Sequence, residues 1–371
     1  MRPASRRFRH PVRARRPSPC VWPCICPRLL GQAPDPVTSP SVTFVIPTLN
    51  SARTLDACLA SVREQDYDGE VEILIVEAGS TDATLKIAHR HAVDRIVENP
   101  LRTGEAGKAV GMRSARGEIL AFVDSDNTLV GRDWLTRMTR PFADPEIVSS
   151  EPLRWDYRPE DGLIDRYCAL TGVNDPVSLF VGNYGRFSSL TGTWTGFAVV
   201  QSDETDYIRV TVDPDLLPTM GANGYLVRAE NLRAVVSGDY LFDIDAVGDL
   251  ARAGHATVAR VDAAIGHAFV VSYGDFVRKT RRRARDYLYY SHLGSRTYPW
   301  GRYRRGIARF VLSTVLTVPL LVQAVRGYSR VRDRAWWFHP VACWTTLVVY
   351  GLETARAQIR RERLGRQGWR Q

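Results

Sequence analysis

Glu118-Ile-Leu-Ala-Phe-Val-Asp124-Ser-Asp126-Asn127 is the stretch on which the fold of this chain turns. Its apolar run, Ile119 to Val123, predicts a strand buried on both faces. The run leads straight into two carboxylates, Asp124 and Asp126, at spacing i, i+2. Residues two apart on an extended chain point the same way, so both acids can address one point beyond the strand end. Open α/β sheets bind ligands there. A pair of acids suits a hard divalent cation, Mg²⁺ or Mn²⁺, which takes a few carboxylate oxygens plus substrate phosphates. Asp-Ser-Asp-Asn is also good turn chemistry, so the triplet draws its meaning from its surroundings.

Upstream, Val42 to Ile46 predicts a buried strand ended by Pro47-Thr-Leu-Asn50. Thr54 to Arg63 follows as a helix with Leu55, Cys58, Leu59 and Val62 on one stripe. Val71 to Val76 is a second strand, and Glu77-Ala-Gly-Ser-Thr-Asp82 leads into a helix capped by Thr81 or Asp82. Arg95 to Val97 makes a short third strand. Gly104 to Gly107 is expected as a flexible loop, and a helix from Lys108 to Ala115 returns the chain to the Asp124 strand. Strands alternating with helices predict an α/β domain on a mostly parallel sheet with right-handed crossovers.

Downstream, the chain from Glu151 to Pro218 is rich in Gly and Ser and contains one plausible strand, Tyr207 to Val212. Gly221-Ala222-Asn223-Gly224 predicts a tight turn before a strand, Tyr225 to Arg228. Asp243-Ile-Asp245 opens a helix that ends at Gly254.

The net charge of +10 hides an asymmetry. Residues 1–40 carry +7 and residues 278–371 carry +17, leaving 41–277 at −14. Nucleic-acid binders place positive charge on the folded module; here the core is acidic and the ends are basic. That distribution suits a domain tethered to an anionic membrane surface and no nucleic-acid partner. Residues 1–40 predict a disordered Arg/Pro-rich arm, whose apolar stretch is broken by Pro23 and Pro27 and so makes no secretory signal. Of six cysteines, Cys20, Cys24 and Cys26 fall in this arm, with no His or second Cys cluster to complete a zinc site. No disulfide framework is expected, and the compartment is expected to be reducing. Near the other end, Phe310–Val325 and Ala335–Leu352 lack Asp, Glu, Lys and Arg. As helices they span roughly 24 and 27 Å against a ~30 Å hydrocarbon core. A membrane-associated helical hairpin is expected there.

The motifs Pro47-Thr-Leu-Asn50, Val76-Glu-Ala-Gly-Ser-Thr-Asp82, Gly107-Lys108, Ala115-Arg-Gly-Glu118 and Asp124-Ser-Asp126 resemble, in order and spacing, those of the family 2 glycosyltransferases. The resemblance covers about 41–270. It implies a GT-A fold, with a nucleotide-sugar half at 41–150 and an acceptor half at 151–277, and a nucleoside-diphosphate-sugar donor. It also implies a divalent metal and an inverting displacement. Carried over residue by residue, Asp126 is the metal ligand, with Asp124 near the ribose or a metal-bound water. Pro47, Asn50 and Glu77 belong to the nucleotide pocket, while Lys108 and Arg102 meet phosphates. Gly221, Ala222, Asn223 and Gly224 shape the acceptor side. Asp243 or Asp245 supplies the catalytic base, Asp243 first. The family often has a second acid where Ala78 stands, so the nucleobase stays open, and in the motif that supplies the catalytic base a Glu is common where Phe242 stands. His267 is either a weak metal ligand or a buried histidine.

The basic run from Arg278 to Arg285 is a phosphate clamp, a lipid-facing surface or a solvated helix face. Its place before the apolar segments assigns Arg281, Arg282 and Arg283 to a lipid-phosphate or glycan acceptor. The expectation is an inverting, metal-dependent glycosyltransferase at the cytoplasmic face of the cell membrane, with 278–371 as its membrane-associated part. The alternatives are a nucleotidyltransferase, which would show a Gly-rich, Lys-containing phosphate loop where Pro47-Thr-Leu-Asn50 stands, and a catalytically silent membrane adaptor.

Overall fold

The computed structural model describes residues 39–292, 296–298 and 300–360. The arm of residues 1–38, with its three cysteines, and residues 361–371 of the basic C-terminal region lie outside the described residues.

The first half alternates β1 (Val42–Thr48), α1 (Leu55–Arg63), β2 (Val71–Glu77), α2 (Thr84–Arg90), β3 (Arg95–Glu98), α3 (Gly104–Ser114) and β4 (Ile119–Phe122). The four strands are parallel in the order β3-β2-β1-β4. Their near-continuous apolar runs follow from burial on both faces. Phe44, Ile46, Ile73 and Ile75 pack with Leu55, Cys58, Leu59 and Val62 of α1 on one side. Val45, Leu74, Val76 and Leu120 pack with Ala109 and Met112 of α3 on the other. Each such side chain, fully buried, contributes about 1.5–3 kcal/mol.

Gly104 to Gly107, expected as a flexible loop, is instead the first turn of α3. Thr103 caps it, its hydroxyl accepting from the Ala106 N–H, and Glu105 favours the positive end of the helix dipole. Gly107 serves close packing: a Cβ there would stand 3.0 Å from Pro47 Cβ.

Beyond β4 come β5 (Asn127–Leu129), α4 (Trp134–Thr139), β6 (Ser149–Trp155), α5 (Leu163–Thr171), α6 (Val177–Val181), β7 (Val200–Asp203) and β8 (Tyr207–Thr211). They are followed by β9 (Tyr225–Arg228), α7 (Ala229–Val235), α8 (Asp243–Arg252) and β10 (Thr257–His267). The strand order is β3-β2-β1-β4-β9-β6-β10-β8-β7, with β5 on β10. Here the sheet is mixed: β9 runs antiparallel to both β4 and β6, and β10 is parallel to β6 but antiparallel to β5 and β8. The result is the α/β architecture with a mixed central sheet that a GT-A fold requires. Cys58, Cys168 and Cys343 are free and buried.

The C-terminal helices are α9 (Tyr273–His292), α10 (Arg304–Leu316), α11 (Val318–Arg330) and α12 (Phe338–Arg360). The first apolar stretch is broken at Thr317, with φ of 61° and Pro319 just inside α11, so α10 and α11 meet at 93°. Among the described residues no single helix is long and apolar enough to cross a membrane; only this bent pair together has the length and composition. The second stretch begins in a 3-10 turn, Arg334–Trp337, and continues in α12, where His339 is buried between the Tyr167 hydroxyl and the Gln323 amide, 2.8 Å from each. α12 packs along α9, and Glu353 faces it to receive Arg281 and Arg285.

Candidate active site

Parallel strands end on one edge, and the loops leaving β1 and β2 are stitched together there. Asn50 takes the left-handed conformation, φ 51°, which an Asn side chain tolerates. Its N–H donates to Ser80 Oγ (2.9 Å) and its Oδ1 accepts from the Thr81 N–H (2.8 Å). Glu77 curls over its own loop, accepting from the N–H groups of Gly79 (2.7 Å) and Ser80 (2.5 Å). Burial opposes its charge, but hydrogen bonds from Ser80 and Gly79 hold the Glu77 carboxyl below its ordinary value. Arg102, exposed, lays its guanidinium against Gly79. Pro47, Asn50, Glu77 and Arg102 thus share one edge.

Lys108 turns away from that group. Its side chain, 7% exposed, reaches to the middle of the sheet edge. Nζ donates to Asp243 Oδ1 (2.8 Å) and Oδ2 (2.9 Å) and stands 3.6 Å from Asp124 Oδ1. Burial disfavours the ammonium, yet the Asp124 and Asp243 charges raise its pKa above the usual lysine value. Asp243 sits in the first turn of α8. Desolvation pushes its carboxyl up to about 6 despite the Lys108 charge, with Asp124 adding to the rise.

Asp126 faces a second set of groups. His267 ends β10 opposite Asn127 of β5, and its ring stacks on Trp155 at 4.8 Å. His267 Nε2 is 3.6 Å from Asp126 Oδ1, and Lys279 Nζ is 3.5 Å from Oδ2. Burial works against ionisation, but His267 and Lys279 hold the carboxyl well below the carboxylate range. Asp126 Oδ1 is buried without a hydrogen-bond partner. A desolvated carboxylate oxygen beside an imidazole nitrogen fits a divalent cation. Among the described residues no cluster of three or more His, Cys, Asp or Glu side chains forms. Mg²⁺ bound with substrate phosphates needs only one or two protein carboxylates.

The turn Gly221–Gly224 closes the gap between these sets. Gly221 has φ of 102°, and a Cβ there would collide with the Asp243 carbonyl. Asn127 Nδ2 donates to Asn223 Oδ1 (3.1 Å), while Asn127 Oδ1 accepts from the Asp124 N–H (3.0 Å). Arg186 donates to the carbonyls of Ala222 and Asn223, each at 3.0 Å. Beneath it, Glu151 pairs with Arg186 (3.0 Å) and Arg260, all three buried. The Arg186 guanidinium also lies 4.9 Å from the Trp155 ring that carries His267.

Asp245 goes elsewhere. Two residues along a helix it points about 200° away from Asp243. It accepts from Arg296 Nε (2.7 Å) and from the N–H groups of Thr297 (2.5 Å) and Tyr298 (2.7 Å). The arginine run is likewise divided. Arg281 pairs with Glu353, Arg283 lies 3.6 Å from Asp175, and Arg282 is exposed beside Asp286. These three do not form one patch.

Residues 43–167 match the sequence model of the family described as Glycosyl transferase family 2. Over those residues the chain is similar to the family 2 glycosyltransferases. An N-acetylglucosaminyltransferase of Mesorhizobium japonicum is 33% identical over 132 residues, 34% of this chain and 31% of that protein. One from Bradyrhizobium elkanii is 31% identical over 118 residues, 30% of this chain and 64% of that protein. The chain thus spans less than two thirds of these relatives' length. A solved mannosyltransferase of Pyrobaculum calidifontis superimposes with a TM-score of 0.48 at 20% identity, covering 88% of this chain and 89% of that one. The matched family 2 segment contains Lys108, Asp124 and Asp126 but ends before the 221–224 turn, Asp243 and His267.

Sequence reasoning missed Arg186, Glu151, Trp155 and Asn127 as parts of this site. Asn127 was adjacent to the acid pair and was the one with a signal. Arg186 and Glu151 meet only through the fold.

Proposed function

We propose that this chain is an inverting, metal-dependent glycosyltransferase. It moves a sugar from a nucleoside-diphosphate sugar to a hydroxyl of a lipid-linked or polysaccharide acceptor at the cytoplasmic face of the cell membrane. One observation carries the reading: Asp124 and Asp126 at the end of β4 are brought together with Asp243, Lys108 and His267, which come from three other elements.

In this reading the loops holding Asn50 and Glu77 take the nucleoside. Asp126 and His267 hold the metal, whose chemistry when bound is to neutralise charge growing on the departing diphosphate. Asp243 accepts the proton from the acceptor hydroxyl as its oxygen bonds to the anomeric carbon and the bond to the diphosphate breaks. A single displacement of this kind inverts that carbon. Lys108 favours the ionised form of Asp243 against the pull of burial. Arg186 fixes the turn on the acceptor side. The names of the sequence relatives make N-acetylglucosamine the first donor sugar to try.

The test is nucleotide binding by the purified protein with and without Mn²⁺, then transfer from UDP- and GDP-sugars with anomeric analysis of the product. Metal-independent nucleotide binding, or a product of retained configuration, removes the reading.

A further inference from the structure

We infer that the helices α10, α11 and α12 form one face that lies in the plane of an anionic lipid bilayer without crossing it. This rests on the membrane-surface part of the proposed function and not on its chemistry.

Each helix leaves an apolar stripe uncovered. Leu312 and Leu316 on α10, Val318 and Val322 on α11, and Trp344 and Val348 on α12 are between 39% and 64% exposed. The stripes meet at the elbow: Leu316 and Val318 flank Thr317, whose hydroxyl accepts from Trp344 Nε1 at 3.0 Å. An exposed apolar surface of this extent marks an interaction site.

Charge selects the occupant. From Arg302 to Leu352 the sole acid is Asp333, which is buried and engaged by Arg166 and the Tyr157 hydroxyl. Exposed arginines bracket the stripes, Arg304 and Arg305 before α10's and Arg326 and Arg330 after α11's. An apolar face rimmed by cations and free of exposed acid matches headgroups above acyl chains. Geometry selects the mode. α10 and α11 have 13 residues each, about 20 Å at 1.5 Å per residue, too short for a ~30 Å core. Their 93° bend keeps them from continuing one another.

The experiment mixes full-length protein with vesicles of phosphatidylcholine alone or with added phosphatidylglycerol, and measures co-sedimentation and extraction by alkaline carbonate. Binding is expected to favour the anionic vesicles, and carbonate to release it. Leu312→Asp/Val322→Asp is expected to lower partitioning about a hundredfold, since each of the two apolar side chains withdrawn from lipid is worth roughly a factor of ten. The melting temperature and its shift with Mn²⁺ and nucleotide stay unchanged in that variant. The inference is overturned by wild-type protein that ignores both vesicles, by a double variant that binds as well as wild type, or by carbonate-resistant insertion. A dimer dissociated by the same variant, with no vesicle binding, assigns the face to a second copy and also overturns it. Vesicle binding without sugar transfer leaves this inference standing and removes the proposed chemistry; transfer without vesicle binding does the reverse.

Discussion

Lys108 Nζ holds both carboxylate oxygens of Asp243, at 2.8 and 2.9 Å, while standing 3.6 Å from Asp124 Oδ1. One ammonium thus ties the start of α8 to the end of β4. It also offsets two acids that would otherwise repel across a desolvated crevice.

The base assignment predicts a pH limb. Asp243 must be ionised to accept a proton, and its carboxyl sits at about 6. kcat/KM is expected to rise as pH climbs through about 6 and to level off above it. Lys108→Met leaves burial unopposed, so the limb moves to higher pH, while Lys108→Arg moves it less. Asp243→Asn is expected to lower kcat by roughly 10²–10⁴-fold with donor binding intact. A pH profile unmoved in Lys108→Met, or full turnover in Asp243→Asn, removes Asp243 from the role.

Asp245→Asn is expected to behave differently. Its carboxylate is filled by Arg296 and two backbone N–H groups, so it anchors residues 296–298. Losing one charge of this buried pair costs about 3 kcal/mol. Calorimetry is expected to show a lowered melting temperature while kcat of the folded fraction holds. A selective loss of kcat without loss of stability returns Asp245 to the chemistry.

The parallel half was legible because burial on both faces writes continuous apolar runs, and because Asp124 and Asp126 sit where such a strand must end. The chain beyond β4 was harder. β7 is exposed along its length, so no apolar pattern marks it. Sequence adjacency also misled where helices rotate neighbours apart. Asp243 and Asp245 look like a pair but face Lys108 and residues 296–298 respectively. Arg281, Arg282 and Arg283 look like a patch, yet about 100° per residue sends them to Glu353, solvent and Asp175. The sequence leaves His267 open between a weak metal ligand and a buried histidine, because its partner, Asp126, lies 141 positions away in the chain, by subtraction of their numbers. The apolar tail carried no charge to announce a bend, and Thr317 with Pro319 supplied one.

The buried Glu151 carries a prediction about the turn at 221–224. It balances Arg186 and Arg260, and burial lowers Arg260 to about 10. Glu151→Gln strands two guanidinium groups in the core and is expected to cost about 3–5 kcal/mol. Arg186→Met keeps the Glu151–Arg260 pair but frees the carbonyls of Ala222 and Asn223. Acceptor KM is expected to rise severalfold, with the nucleotide affinity unchanged. An Arg186→Met enzyme with wild-type acceptor KM separates this arginine from the acceptor side.

Asp126 and His267 bear the last prediction, on the metal. Asp126 Oδ1 lacks a hydrogen bond although it is buried, a cost a protein seldom carries without a ligand. Lys279 on Oδ2 and His267 beside Oδ1 keep the carboxylate ionised, ready for a cation. His267 owes its place to stacking on Trp155, itself set against Arg186. Asp126→Ala is expected to abolish the Mn²⁺ dependence of nucleoside-diphosphate binding. His267→Ala is expected to weaken it, as is Trp155→Ala, the latter by about 10–100-fold as for a group that orients a ligand. Asp124→Ala has a smaller effect, because Asp124 faces Lys108 rather than His267. Titration calorimetry with Mn²⁺ and UDP or GDP reads all four. If Asp126→Ala binds nucleotide with its metal dependence intact, the cation is held elsewhere. If His267→Ala matches wild type while Asp126→Ala fails, Asp126 is the ligand and His267 is only its neighbour in the core.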